Sequence, residues 1–168
     1  RMVSMTRTTT WLALSIAALA SACAVDYQPP PEGVPTTALT LSTTTYGGAE
    51  FSSMMGCPSQ ERTILARLPF TLSGASLDES AKRSAPAISV AANKPMTLVA
   101  AIAGTTCNWT AVFTPKSGTD YEAILHATNN TCRLAVYRLK PVAGGAPKLE
   151  LEGGASYKRY NSISNLCS

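Results

Sequence analysis

A single histidine, five cysteines and two carboxylate pairs are the residues of this chain whose types suit chemistry. A Ser-His-Asp relay would have to pass through His126, since an imidazole is the side chain that exchanges protons with a serine hydroxyl near neutral pH. No G-x-S-x-G elbow accompanies it, and the alternation of its neighbours places His126 on the outer face of a strand near a turn. The spacing therefore predicts an exposed strand histidine and no enzyme. Met54, Met55 and Cys57 invite a soft-metal reading, yet two adjacent thioethers and a thiol expected to be oxidised fit packing better. Zinc needs three or four His, Cys or carboxylate ligands, and disulfides would consume the thiols. Asp78 with Glu79, and Glu150 with Glu152, lie on polar segments where acids are usually solvated. With no P-loop or dinucleotide fingerprint either, neither metal nor cofactor is expected.

The thiols carry more. Five is an odd number, and in an exported chain an unpaired cysteine needs a reason. Arg7 supplies a basic start, residues 11–20 (WLALSIAALA) an apolar stretch, and Ala20-Ser21-Ala22 the small residues a signal peptidase accepts. The stretch falls short of the roughly 20 apolar residues that span a bilayer as a helix. Residues 1–22 are thus expected to be a signal peptide, with Met5 a better initiator than Met2.

Leu19-Ala20-Ser21-Ala22-Cys23 resembles the lipobox of bacterial lipoproteins, with Ala20 where leucine is commonest. The resemblance implies lipid attachment, palmitate among the acyl groups, at Cys23. With Ala24 rather than aspartate next, it implies the periplasmic face of the cell outer membrane, whose lipid would be the first partner. Ala20-x-Ala22 also suits the ordinary signal peptidase, so a soluble periplasmic or secreted protein is the alternative. Acylating Cys23 leaves Cys57, Cys107, Cys132 and Cys167, an even set for disulfides.

Behind the signal, residues 23–168 make one domain by size. Losing Arg1 and Arg7 leaves a net charge near +2, with no Lys/Arg run, and that argues against nucleic acid. Residues 23–35 contain Pro29, Pro30, Pro31 and Pro35, which forbid helix and predict a lipid-attached, extended tether reaching some 30 to 40 Å. Residues 36–168 form the folded domain.

Within it, residues 36–46 read as a strand from Leu39 and Leu41 alternating with threonine. Residues 50–62 are ambiguous, with Phe51, Met54 and Met55 compatible with one buried helical turn. Residues 63–72 read as a strand interrupted by Pro69, hence at an edge or a bulge. Between 87 and 139, five apolar segments recur with Asn, Gly and Pro between them, the spacing of an antiparallel sandwich or barrel. Alternation puts Cys107, Trp109, Ala111 and Phe113 on one inward row, Tyr121, Ala123 and Leu125 on a second, and Cys132, Leu134 and Val136 on a third. Glu122, His126 and Arg133 then point outward, and Val112 and Ile124 make the outer surface partly covered or a contact face. Residues 148–152 predict a short strand with its charges outward, and 153–168 a tail whose order depends on Cys167.

The run from Cys107 through Trp109, Phe113, Gly118 and Tyr121 to Cys132 resembles small proteobacterial lipoproteins with an immunoglobulin-like or transthyretin-like sandwich, over residues 89–139. The resemblance implies an all-β, disulfide-bearing fold and no activity. Of the possible disulfides, Cys107 with Cys132 and Cys57 with Cys167 are expected, the first two lying on inward rows at one end of the sheet. In a flat meander their strands would be about 9.6 Å apart, beyond the roughly 7 Å a disulfide spans. The pairing therefore requires the chain to fold back over the sheet end, or the two strands to belong to facing sheets. Three functions fit, in this order: a non-catalytic envelope lipoprotein acting as a structural or protein-interaction module; a periplasmic small-ligand or glycan binder; and a hydrolase using His126.

Overall fold

In the computed structural model the described residues are 25–45, 47–54, 62–70, 82–128 and 131–160, and among them all regular structure is strand. Twelve strands follow in order: β1 (Val25–Asp26), β2 (Thr36–Thr43), β3 (Ala49–Met54), β4 (Arg62–Leu68), β5 (Arg83–Ser84), β6 (Ile88–Ala91), β7 (Met96–Ile102), β8 (Asn108–Phe113), β9 (Tyr121–Ala127), β10 (Cys132–Lys140), β11 (Lys148–Leu151) and β12 (Ser156–Tyr160). One sheet runs β1-β4-β3-β7-β8-β12; the other runs β11-β10-β9-β2-β5, with β6 also paired to β2. All neighbours are antiparallel except β1 with β4 and β2 with β9.

The inward rows of both sheets meet in one core. Leu39 and Leu41, Phe51, Leu98 and Ala100, Ala111 and Phe113, Tyr121 and Leu125, and Leu134 and Val136 are all buried there, each large side chain contributing about 1.5–3 kcal/mol by leaving water. The Phe113 and Tyr121 rings tilt against each other at 5.6 Å, and the Tyr121 hydroxyl accepts the Lys116 N–H at 3.0 Å, closing the turn between β8 and β9. The three inward rows expected for β8, β9 and β10 are those of the structure.

β8 and β10 lie in different sheets that face one another, so Cys107 and Cys132 bridge across the core with Cα atoms 5.8 Å apart. Of the two ways the pairing could be met, the facing-sheet one holds. Cys23, Cys57 and Cys167 lie outside the described residues.

Four local expectations are corrected. The ambiguous stretch is strand, not helical turn, as far as Met54, and residues 55–61 lie outside those described: β3 has a ladder on each side, with β4 and β7, which satisfies its backbone groups better than an isolated turn would. The bulge of β4 at Leu65, opposite Phe51 and Ser52, and the stop of β4 before Pro69 are the irregularities a proline-interrupted edge implies, and only two-residue β1 lies beyond β4. β11 turns its charges the other way. Leu149 and Leu151 stand opposite Leu139 and Tyr137 on the outer face, 39% and 55% exposed, while Glu150 pairs with Arg138 on the opposite face.

The third correction concerns the tail, whose residues 156–160 are not a loose end but the strand β12, laddered to β8; Cys167 lies outside the described residues. The fourth concerns the proline segment. Val25 and Asp26 pair with Thr63 and Ile64, the Tyr27 N–H donates to the Ile64 carbonyl at 3.1 Å, and the Tyr27 hydroxyl donates to the Ser89 carbonyl. Pro29, Pro30 and Pro31 then line a groove of about 560 Å³ with Leu65, Val90 and Met96. From Val25 onward the segment is docked on the domain, because the β1 ladder and the half-buried Tyr27 hold it there while Pro29 and Pro31 stay exposed.

Candidate functional site

Where the two sheets part on one flank, β10 loses its outer neighbour. β11 pairs with it only from Tyr137 to Lys140, with one further bond at Val136, and no described strand runs beside residues 132–135. In an antiparallel ladder the N–H and C=O of alternate residues point to the same side. The Val136 carbonyl accepts the Glu152 N–H at 2.9 Å and its N–H donates to the Tyr157 hydroxyl at 3.0 Å, both on the side away from β9. Leu134 and Cys132 therefore present their main-chain groups to that same side, where β11 is missing.

Trp109 of β8 and Tyr157 of β12, on the inner face of the opposite sheet, close this gap from across the core. With Arg133, Leu134, Ala135, Tyr137 and Leu151 they line a cleft of about 330 Å³. The Trp109 Nε1 is buried and has no hydrogen-bond partner among the described residues. Burial raises the Tyr157 phenol above its ordinary value, the Val136 N–H opposing the shift, so the ring stays neutral and keeps its own proton to donate. Aromatic walls, an unpartnered indole donor and a bare strand edge together suit a ligand with an apolar face and main-chain-like donors and acceptors.

His126 stands just outside this cleft. It faces outward on β9 as expected and is opposite Arg133 in the ladder, but it is half-buried rather than exposed. Its Nε2 lies 3.4 Å from the Tyr137 hydroxyl, and the two rings meet edge-on at 6.4 Å. Burial, then the Arg133 charge, hold its pKa below the ordinary histidine value, with Glu122 opposing. Among the described residues its hydrogen-bond partner is Tyr137 alone, and no described serine or carboxylate is bonded to it.

The outward carboxylate of Glu122 is not solvated. It is 5% exposed and accepts hydrogen bonds from the Ser42 hydroxyl at 2.5 Å and from Lys82 at 2.7 Å, with Ser84 2.8 Å from Ser42. Ile124 and Ala135 beside it are buried too, so that part of the outer face is covered, whereas Val112 on the other sheet is 40% exposed. Nothing in the sequence flags this cluster, whose members lie 40 and 80 residues apart. Glu150 and Glu152 pair with Arg138, and Glu150 also with Lys140. Asp78, Glu79, Met55 and Cys57 lie outside the described residues, and among those described no three His, Cys, Asp or Glu side chains converge as metal ligands.

A third concavity, a groove of about 770 Å³, opens at the disulfide-bearing end of the sandwich between Gly47, Phe70, Thr105, Thr128, Cys132 and Arg159. Compared with protein-family models, curated proteins and solved structures, the chain matches none.

Proposed function

We propose that the chain is an exported lipoprotein, acylated on Cys23 and held at the periplasmic face of the outer membrane, whose sandwich binds an envelope protein instead of catalysing a reaction. The observation that carries the binding role is the edge of β10 over residues 132–135, bare among the described residues, beside Trp109 and Tyr157. An extended segment of a partner can add there as a strand, its main chain pairing with Leu134 and its side chains packing on the aromatic walls. The export and acylation are supported by the signal-like run and by the residues around Cys23. An immunoglobulin-like or transthyretin-like sandwich is the finer reading of the fold; a disulfide joining facing sheets fits the immunoglobulin-like form.

A photo-reactive residue at Leu151, on the lip of the cleft, tests the binding role in intact cells. A discrete protein adduct that is lost when Trp109→Ala is introduced is the expected result. An adduct unaffected by Trp109→Ala, or none, counts against it. The same aromatic cleft favours a second reading, a glycan or small-ligand binder, because its size suits a sugar ring stacked on Trp109 or Tyr157. Quenching of tryptophan fluorescence by cell-wall oligosaccharides, lost in Trp109→Phe, would move the conclusion to that reading.

A further inference from the structure

The sandwich has two ends that differ in what they carry. Cys107, Cys132, Ile102 and Tyr160 mark one, with its groove; Met54, Met96, Phe113 and Lys140 mark the other. β1 enters at the second end, since Val25 lies level with Thr63 near the start of β4. Cys23 is two residues before Val25. Whatever path those residues take, covalent geometry keeps the Cys23 Cα within about 7 Å of the Val25 Cα. Val25 and Asp26 are in turn fixed to β4, and Tyr27 to both Ile64 and Ser89. The slack expected of a proline tether is taken up by docking.

We infer that the anchored domain lies directly against the lipid headgroups on this end, its disulfide-bearing end and groove pointing away from the membrane. The inference rests on the acylation of Cys23 proposed above. Acyl chains on Cys23 enter the bilayer within that short distance of β1, so the turns around it must meet the headgroup layer. The described turns at this end are 93–95 and 114–120, and 141–147 at the same end on the flank away from β1. They and the strand ends beside them expose Lys94, Lys116, Lys140 and Lys148 together with Glu32 and Asp120, a mixture of signs that headgroups solvate and hydrocarbon does not. Val142, 48% exposed at the tip of the β10–β11 hairpin, is an apolar contact at the same level. The flank cleft beside β10 stays open to the side, where a partner in the same membrane reaches it.

Full-length protein, exported by a bacterial host and reconstituted in phosphatidylethanolamine and phosphatidylglycerol vesicles, tests this with a fluorescent unnatural residue at Val142 or at Thr105. The quencher is a spin-labelled headgroup lipid. The seven residues of β7 alone separate the two ends by about 20 Å. Quenching several-fold stronger at Val142 than at Thr105 is expected, and equal or reversed quenching on protein whose mass shows the acyl groups overturns the orientation alone. A mass without acyl groups overturns the anchoring on which it rests. A Gly-Ser linker inserted between Ala24 and Val25, longer than the sandwich, should bring the Val142 signal down towards that of Thr105. An unchanged signal would show that the short connection is not what holds this end to the membrane.

Discussion

Two side chains on the outer face of the β9 sheet set the residue-scale energetics. Glu122 is buried with its charge answered by Lys82 and by a buried serine hydroxyl. Glu122→Ala should cost about 1–3 kcal/mol, because Ser42 loses its acceptor while Lys82, partly exposed, recovers water. Urea denaturation of the purified domain measures it, and an unchanged midpoint would mean that Ser84 alone satisfies Ser42. His126 makes stability depend on pH. Its folded pKa lies below the ordinary value near 6.5, so between the two values the unfolded chain binds more protons and stability falls as pH is lowered through that window. Urea curves at pH 7.5 and pH 5 should show a larger acid loss for the native chain than for His126→Gln. At this scale the sequence was legible in direction but not in burial. The period of two placed Glu122 and His126 outward correctly, but what covers an outer face depends on residues far off in the chain, and alternation carries no such information.

Among the elements, the bridge between β8 and β10 has the largest calculable effect. It closes a loop of 25 residues, for which the chain-entropy account gives about 3.5 kcal/mol. The double variant Cys107→Ser/Cys132→Ser should lose about that much in urea denaturation, without changing which strands pair, since β8 and β10 also hold neighbours within their own sheets. A loss under 1 kcal/mol would place the constraint elsewhere in the chain. β2, β7, β8, β9 and β10 were each readable from apolar alternation between turns rich in Gly, Asn and Pro. Asn93, at a φ of 61°, and Gly118, at 74°, supply the left-handed turns on either side of β7 and β8 that such punctuation implies. β11 was misread because alternation fixes two faces without saying which is inward. Here the hairpin runs past the opposite sheet, so its charged face is left free to form ion pairs with Arg138 and Lys140. The bare stretch of β10 was invisible for a related reason: a strand's own sequence does not show how far its neighbour extends.

Seen whole, the fold joins segments that are distant in the chain. β2 is an interior strand of its sheet, yet its long partner is β9, with Thr43 bonded to the Leu125 carbonyl 82 residues later. A chain truncated after Pro115 keeps β2, β3 and β7 but leaves β2 without β9 and half the core without its facing rows. It should show no cooperative urea transition, whereas the complete domain should; a cooperative transition in the fragment would mean that the β3–β4–β7 sheet folds alone. Topologies of this kind fold slowly, because loop closure must be met before the contacts reward it. Were the chain exported with its N-terminus leading, as proposed above, the parallel pairing of β2 with β9 would act as a timer. The first half would have nothing complete to fold into until β9 had emerged, threading through a narrow channel would meet no finished structure, and the sandwich would close only on the far side.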